Sequence, residues 1–308
     1  MHTFAGVQNK AKYLIVIGGA TAVGKTALAI ALAKHYGTVI ISADSRQFYQ
    51  EMSIGTAKPS NDELMAVKHY FINNKHVGEL FGAGHFAKEA NLLIEELFQS
   101  HNKIIVVGGS GLYINALLNG VDEFEEVPLS VRENLNASYQ EKGLTWLQNE
   151  LKSIDEKYYQ EVDINNPQRM IRALEIFQHT GIPYSEFLKK ELVQNKYNTI
   201  SIFADIPRPL LYDRINQRVD AMMANGLLEE VKALTAYKDL NALKTVGYKE
   251  LFDYLEGKCK LSEAVEKIKQ HSRNYAKRQI TWFKNKTKFK TFDPREIEPI
   301  IDYIEKSS

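Results

Sequence analysis

The run Gly19-Ala20-Thr21-Ala22-Val23-Gly24-Lys25-Thr26 constrains this chain more than any other feature. It fits the spacing G-x-x-x-x-G-K-[ST]. A short apolar run, residues 13–17, leads into it. A segment with apolar side chains at helical spacing, residues 25–36, leaves it and is stopped by Gly37. Strand, glycine turn and helix are the context in which this spacing holds phosphate. The glycines let backbone N–H groups turn inward, and the helix N-terminus adds a favourable dipole. Lys25 supplies a point charge, and the Thr26 hydroxyl suits Mg²⁺. The alternative is a glycine turn with no ligand. The motif leaves the identity of the phosphate compound open.

The remaining pattern extends the same architecture. Residues 39–41 read as a second strand ending at Ser42-Ala43-Asp44-Ser45, residues 69–72 as a third, and 103–107 as another ending at Gly108-Gly109. An amphipathic helix over 86–98 lies between them. Alternating strands and helices predict a mainly parallel sheet. Ligands in such sheets sit beyond the carboxyl ends of the strands, where all three polar or glycine-rich turns fall. Near Gly120 the character changes. Residues 121–196 carry helical stretches broken at Gly143, Pro167, Gly181 and Pro183, with Asn166-Pro167 a helix start and Gly181 a stop. Strand character returns at 200–204. Beyond it the chain reads as helical: 209–225 closed by Gly226, then 227–237, then 261 to about 283. The expected fold is α/β. A P-loop NTPase-like core with a mainly parallel sheet spans 11–120 and 197–308, and an all-helical insertion domain spans 121–196.

Composition excludes several classes. At 308 residues, with 44% hydrophobic and 25% charged side chains, the chain is neither disordered nor fibrous. One cysteine, Cys259, excludes an internal disulfide or a cysteine-based zinc site and suits a reducing, cytoplasmic home. Residues 1–4 begin no secretory signal, and no apolar stretch is long enough to cross a bilayer. The net charge of +1 hides a polarised chain. Residues 121–163 hold 11 acids and 4 bases, whereas 241–290 hold 13 bases and 5 acids. The basic stretch suits a polyanion; two solvated faces of different charge are the alternative.

Asp44 follows the second strand. A carboxylate beside a phosphate site binds metal, pairs with a cation or takes a proton; the alternative is a turn cap made with Ser45. Gly108-Gly109 permits close approach of a ligand, and Ser110 either points into the cleft or caps a helix. Arg214 and Arg218 share one helix face at i and i+4. They either clamp phosphate or pair with Asp213 and Asp220. Arg169 and Arg172 face an RNA backbone or form a surface ion-pair face with Glu175. Residues 273–283 mix cations with Tyr275, Trp282 and Phe283, which suits nucleic acid. The alternative there is aromatic core with solvated cations.

Taken together, these residues resemble the tRNA dimethylallyltransferases, or tRNA isopentenyltransferases, over about residues 13–283. The resemblance rests on 19–26, Asp44-Ser45-Arg46-Gln47 with Tyr49, Ile54-Gly55-Thr56-Ala57-Lys58-Pro59, and Val107-Gly108-Gly109-Ser110-Gly111-Leu112-Tyr113. It continues through Asn166-Pro167-Gln168-Arg169, Arg172-Ala173-Leu174-Glu175, Val246-Gly247-Tyr248, and Ala276-Lys277-Arg278-Gln279 before Trp282. Ala20 and Lys244 depart from it, standing where Pro and Arg are common. Lys244 keeps the charge but loses the planar fork. With no zinc-finger cysteines, the chain resembles the bacterial type.

The resemblance implies a transferase that moves a dimethylallyl group from its diphosphate to a tRNA. The acceptor is the exocyclic amine of the adenosine on the 3′ side of the anticodon. It implies that Gly19, Ala20, Thr21, Ala22, Val23, Gly24, Lys25 and Thr26, with Arg214 and Arg218, hold the diphosphate, and that Mg²⁺ lies at Thr26. The implied catalytic residues are Asp44 as base, Ser110 at a position usually Thr, Lys25 and Arg218. The implied tRNA contacts are Asp44, Ser45, Arg46, Gln47, Ser110, Arg132, Gln168, Arg169, Met170, Ile171 and Arg172. Lys244, Thr245, Val246, Gly247, Tyr248 and Lys249 complete that set. The partners are the tRNA anticodon stem-loop and dimethylallyl diphosphate, with no membrane, and the protein is a cytoplasmic monomer. Competing readings are a P-loop small-molecule kinase using ATP and a non-catalytic RNA-binding protein.

Overall fold

Strand β1, Tyr13–Gly19, is apolar without alternation because it is covered on both faces. Leu14 and Val16 enter one hydrophobic core, while Ile15 and Ile17 enter another across the sheet. The computed structural model describes residues 11–120, 127–188, 197–286 and 288–308. After β1 come α1 (Lys25–Tyr36), β2 (Ile40–Ser42), α2 (Asn61–Ala66), β3 (His69–Tyr70), α3 (Ala83–Leu97), β4 (Lys103–Gly108) and α4 (Gly111–Asn119). Four helices follow: α5 (Leu129–Ile154), α6 (Glu156–Glu161), α7 (Pro167–Thr180) and α8 (Tyr184–Phe187). The chain then runs through β5 (Asn198–Ala204), α9 (Arg208–Ala224), α10 (Leu227–Ala233), α11 (Tyr248–Leu255), α12 (Leu261–Lys286), β6 (Lys290–Phe292) and α13 (Ile297–Ser307).

The six strands form one sheet in the order β3-β2-β4-β1-β5-β6, and every pair is parallel. All strands therefore end on the same edge. The glycine loop leaves β1, Asp44 follows β2, Ser110 follows β4, and Asp205 follows β5 on that edge.

Two compact units result, Met1–Asn119 with Asn195–Ser308, and Gly120–Gln194. The described residues of the second unit contain helices α5–α8 and no strand. The expected insertion limits, 121 and 196, and the N-terminal residues 1–4 lie outside the described residues. Within this unit α5 is kinked at Gly143, where φ is 78°. Asn166 caps α7, its Oδ1 accepting from the Arg169 N–H at 3.3 Å, and Pro167 occupies the first turn. Leu135, Leu147, Leu151, Met170 and Leu174 form the core of the unit.

Local differences from the sequence reading have physical causes. Helix α10 stops at Ala233, and a tighter turn covers Thr235–Tyr237. There the Thr235 hydroxyl donates to the Lys232 carbonyl at 2.8 Å, competing with the helical ladder. Strand β3 ends at Tyr70 because Phe71 takes a left-handed backbone, φ 61°. β6 lies beyond the last helix read: three residues acquire strand geometry by pairing with the edge of β5.

Candidate active site

The glycine loop is built as the motif requires. Gly24 takes φ 109° immediately before α1, a conformation a side chain would strain, and Ala22 takes φ 62°. Lys25 folds back over the loop and donates from Nζ to the Ala20 carbonyl at 2.5 Å. Burial, followed by the like charge of Arg218, lowers the lysine to about 7, while Asp44 opposes both. Burial also lowers the Arg218 guanidinium, and Asp44 again opposes the shift. Lys25, Arg218 and Asp44 therefore form one electrostatic cluster.

Arg214, on the same face of α9, donates from Nη1 to the Val23 carbonyl at 3.3 Å and so reaches the loop. Their acidic neighbours on α9 are engaged elsewhere. Asp213 accepts from Gln217 at 2.8 Å, and Asp220 pairs with Lys269 at 2.8 Å. Pairing with Asp213 and Asp220 is thus not what holds the two arginines.

Asp44 makes the turn cap weighed for it and also faces a cavity. Its Oδ1 caps the turn by accepting from the Arg46 N–H at 2.9 Å, and the residue also lines a cavity of about 250 Å³. The cavity walls include Thr21 from the loop, Ser45, Arg46, Arg218 and Tyr275. Ile215, Val219, Met222, Val246 and Ile268 form an apolar side, completed by Gly55, Thr56, Thr245, Gly247 and Ser272. Ser110 is buried, and its Oγ accepts from the Ser45 N–H at 3.1 Å, joining the ends of β2 and β4. Tyr275 bonds Ser110; burial, followed by the charge of Asp44, pushes its phenol up to about 12.

One helix carries much of this wall. Ile268, Ser272, Tyr275 and Gln279 recur on α12 at spacings of three and four, which puts them on one face. One turn beyond Gln279, Phe283 packs so closely on Gly18, and Trp282 on Gly111, that neither glycine could carry a Cβ. The aromatic-core reading holds for Trp282 and Phe283, whereas Tyr275 faces the cavity.

The run from Ile54 to Pro59 is held by a residue that no motif marked. The Glu230 carboxylate accepts from the N–H groups of Ser53 at 2.9 Å, Ile54 at 2.7 Å and Gly55 at 3.0 Å, and from the Tyr248 hydroxyl at 2.6 Å. Gln47 braces the other side, its Nε2 donating to the carbonyls of Thr56 at 3.3 Å and Ala57 at 3.2 Å. Lys58 donates to Asn73 Oδ1 at 2.6 Å; burial lowers it to about 8 against the pull of Glu230. These bonds aim Gly55 and Thr56 into the cavity.

Three of the residues expected to contact RNA have buried side chains. Met170 and Ile171 are core residues of the helical unit, and Tyr248 is fully buried with its hydroxyl on Glu230. Helical periodicity puts these side chains inward. Their neighbours Gln168, Arg169, Lys244 and Lys249 are exposed. Arg132 and Arg172 both bind Glu175, at 2.7 Å and 3.1 Å, so the ion-pair reading describes Arg172. Arg46 reaches the Asn241 carbonyl at 3.1 Å. Thr26 is half-buried at the start of α1.

Known proteins resemble this chain over most of its length. A family model described as IPP transferase matches residues 47–286. The tRNA dimethylallyltransferase of Christiangramia forsetii is 48% identical over 294 residues, covering 95% of this chain and 97% of that protein. The tRNA dimethylallyltransferase 1 of Bacteroides fragilis is 43% identical, covering 96% and 99%. Among solved structures, the full-length tRNA isopentenylpyrophosphate transferase of Bacillus halodurans has a TM-score of 0.72 at 37% identity, covering 96% of both chains. A eukaryotic dimethylallyltransferase acting on tRNA has a TM-score of 0.81 at 26% identity, covering 96% of this chain and 80% of that one. The parallel core of this chain is P-loop NTPase-like, and with relatives matching almost end to end, the chain belongs to the IPP transferase family, the tRNA dimethylallyltransferases.

Proposed function

We propose that this enzyme transfers a dimethylallyl group from dimethylallyl diphosphate to the exocyclic amine of the adenosine on the 3′ side of the anticodon of tRNA, releasing diphosphate. One observation carries the reading: Asp44 shares its cavity with Arg218, with Thr21 of the glycine loop and with an apolar wall. A kinase site needs no such wall beside its phosphates. A five-carbon tail does, and Ile215, Val219, Met222 and Ile268 supply it.

Each residue then has a task. The loop 19–26 cradles the diphosphate, with Lys25, Arg214 and Arg218 supplying positive charge as the allylic C–O bond breaks. The lone pair of an adenine amine is delocalised into the ring, so the amine is a weak nucleophile. Asp44 accepts its proton as the N–C bond forms. Ser110 and Tyr275 border the carboxylate and hold the incoming base in line with the allylic carbon. Among the described residues no three His, Cys, Asp or Glu side chains cluster as a metal site. The residue that would hold a Mg²⁺ ion is Thr26, whose hydroxyl oxygen lies at the start of α1 beside the loop. That donor fits a hard, oxygen-seeking cation, which supplies charge neutralisation to the leaving group.

The target base must leave its stack, at a cost on the order of a few kcal/mol. Exposed Gln168, Arg169, Lys244 and Lys249, with Arg46, are our candidates for the anticodon stem-loop contacts. No helix among the described residues is long and apolar enough to cross a membrane. We assign the reaction to the cytoplasm, where tRNA resides. The test is incubation with radiolabelled dimethylallyl diphosphate and unmodified tRNA. Label entering tRNA is expected; phosphate moving from ATP to a small metabolite, or RNA binding without turnover, would overturn the reading.

A further inference from the structure

Gln279 is a buried amide with both ends engaged by distant parts of the chain. Its Oε1 accepts from the Thr21 N–H at 2.9 Å, and its Nε2 donates to the Gly109 carbonyl at 2.8 Å. Thr21 belongs to the glycine loop after β1. Gly109 directly precedes Ser110 after β4. The amide approaches Gly109 so closely that a Cβ there would push it out of place. An amide does both jobs, whereas a carboxylate cannot donate and an ammonium cannot accept.

We infer that Gln279 is a positioning residue, which fixes the spacing between the diphosphate cradle and Ser110, the residue bonded to Ser45 and Tyr275 of the cavity wall. The inference rests on the functional reading above. In that reading the two reactants are held by different strand ends, the leaving group by the loop after β1 and the acceptor beside Ser110 and Asp44. Reaction needs the amine in line with the allylic carbon, and nothing in the loop alone sets that distance. The amide bridges it from α12, the helix that also brings Tyr275 into the cavity. Loosening this bridge leaves each half able to bind its own ligand but no longer holds them in register.

A simple packing role makes a different prediction, because it lowers binding and turnover together with stability. The experiment compares Gln279→Met, which removes both bonds at similar volume, with Gln279→Glu, which keeps an acceptor for Thr21 but loses the donor to Gly109. Steady-state kinetics with dimethylallyl diphosphate and tRNA, and calorimetry with inorganic diphosphate, are measured on folded protein. We expect kcat to fall about 10- to 100-fold while the diphosphate Kd changes by less than about threefold. Should the Met variant fail to fold, the isosteric Glu variant carries the same expectation. Wild-type kcat in a folded variant, or parallel loss of kcat and diphosphate affinity, would overturn the inference alone. Absence of prenyl transfer by the unaltered enzyme would overturn the functional reading, and the inference with it.

Discussion

The amine of Lys25 is bonded to the carbonyl of Ala20, five residues back in its own loop, at 2.5 Å. It is lowered to about 7 by burial and by Arg218. A bound diphosphate favours the charged amine, so the complex has the higher lysine pKa and binding takes up a proton. Affinity is then fully developed below pH 7 and falls above it, by up to about tenfold per unit, until the pKa of the complex is reached. Calorimetry with inorganic diphosphate from pH 6 to 9 checks this. Diphosphate itself titrates, so Lys25→Met supplies the baseline; identical pH profiles for the two proteins would remove Lys25 from the site.

Asp44→Ala removes the proposed base while leaving the loop and Arg218 in place. Turnover should fall by about 10²–10⁴-fold. Binding of tRNA should persist, because the charges that attract it lie elsewhere. Prenyl transfer is followed by label incorporation, and a rate near that of the unaltered enzyme would show that another group takes the proton.

Arg218→Gln tests charge at the leaving group. Removing one such donor costs about 10²–10³-fold in kcat. The variant should lose the same factor with a shortened prenyl diphosphate, since Arg218 is assigned to the diphosphate and the tail to its apolar neighbours. A loss that depended strongly on tail length would reassign it.

Glu230→Ala should destabilise the fold by about 2–3 kcal/mol, because three backbone N–H groups and the Tyr248 hydroxyl lose a charged acceptor. Thermal melting monitored by circular dichroism measures it. The effect should be larger than that of Glu229→Ala, one residue away and exposed.

Affinity for tRNA should fall linearly in log–log form as salt rises, with a slope of about −0.7 per neutralised single-strand phosphate. Lys244→Ala should weaken binding and flatten that slope by about the same 0.7 if Lys244 meets a phosphate. Filter binding over a range of KCl concentrations distinguishes this from a salt-independent base contact.

Much of the core was legible because its signals are local. An apolar run buried on both faces, a glycine turn and a helix start lie within 24 residues, and each follows from neighbouring side chains and backbone geometry. The cap of α7 by Asn166 and its stop at Gly181 were equally local. The end of helix α10 was not legible because it depends on a hydroxyl competing for a carbonyl, nor was strand β6, which lies beyond the last helix read and depends on a neighbouring edge. Met170, Ile171 and Tyr248 lie beside true surface residues in sequence, but helical periodicity turns their side chains the other way.

The sequence by itself determined which chemical groups are available: a phosphate loop with Lys25 and Thr26, an aspartate after the second strand, and an arginine pair one helical turn apart. Only the tertiary structure decided their company. It set Arg218 beside Asp44 and Lys25, gave the cavity its apolar wall, and tied Thr21 to Gly109 through Gln279. The physical reason is range. Backbone propensity and periodicity act over a few residues, whereas the bonds that Gln279 makes join residues 258 and 170 positions away, a proximity that only the parallel sheet and the packing of α12 against it create.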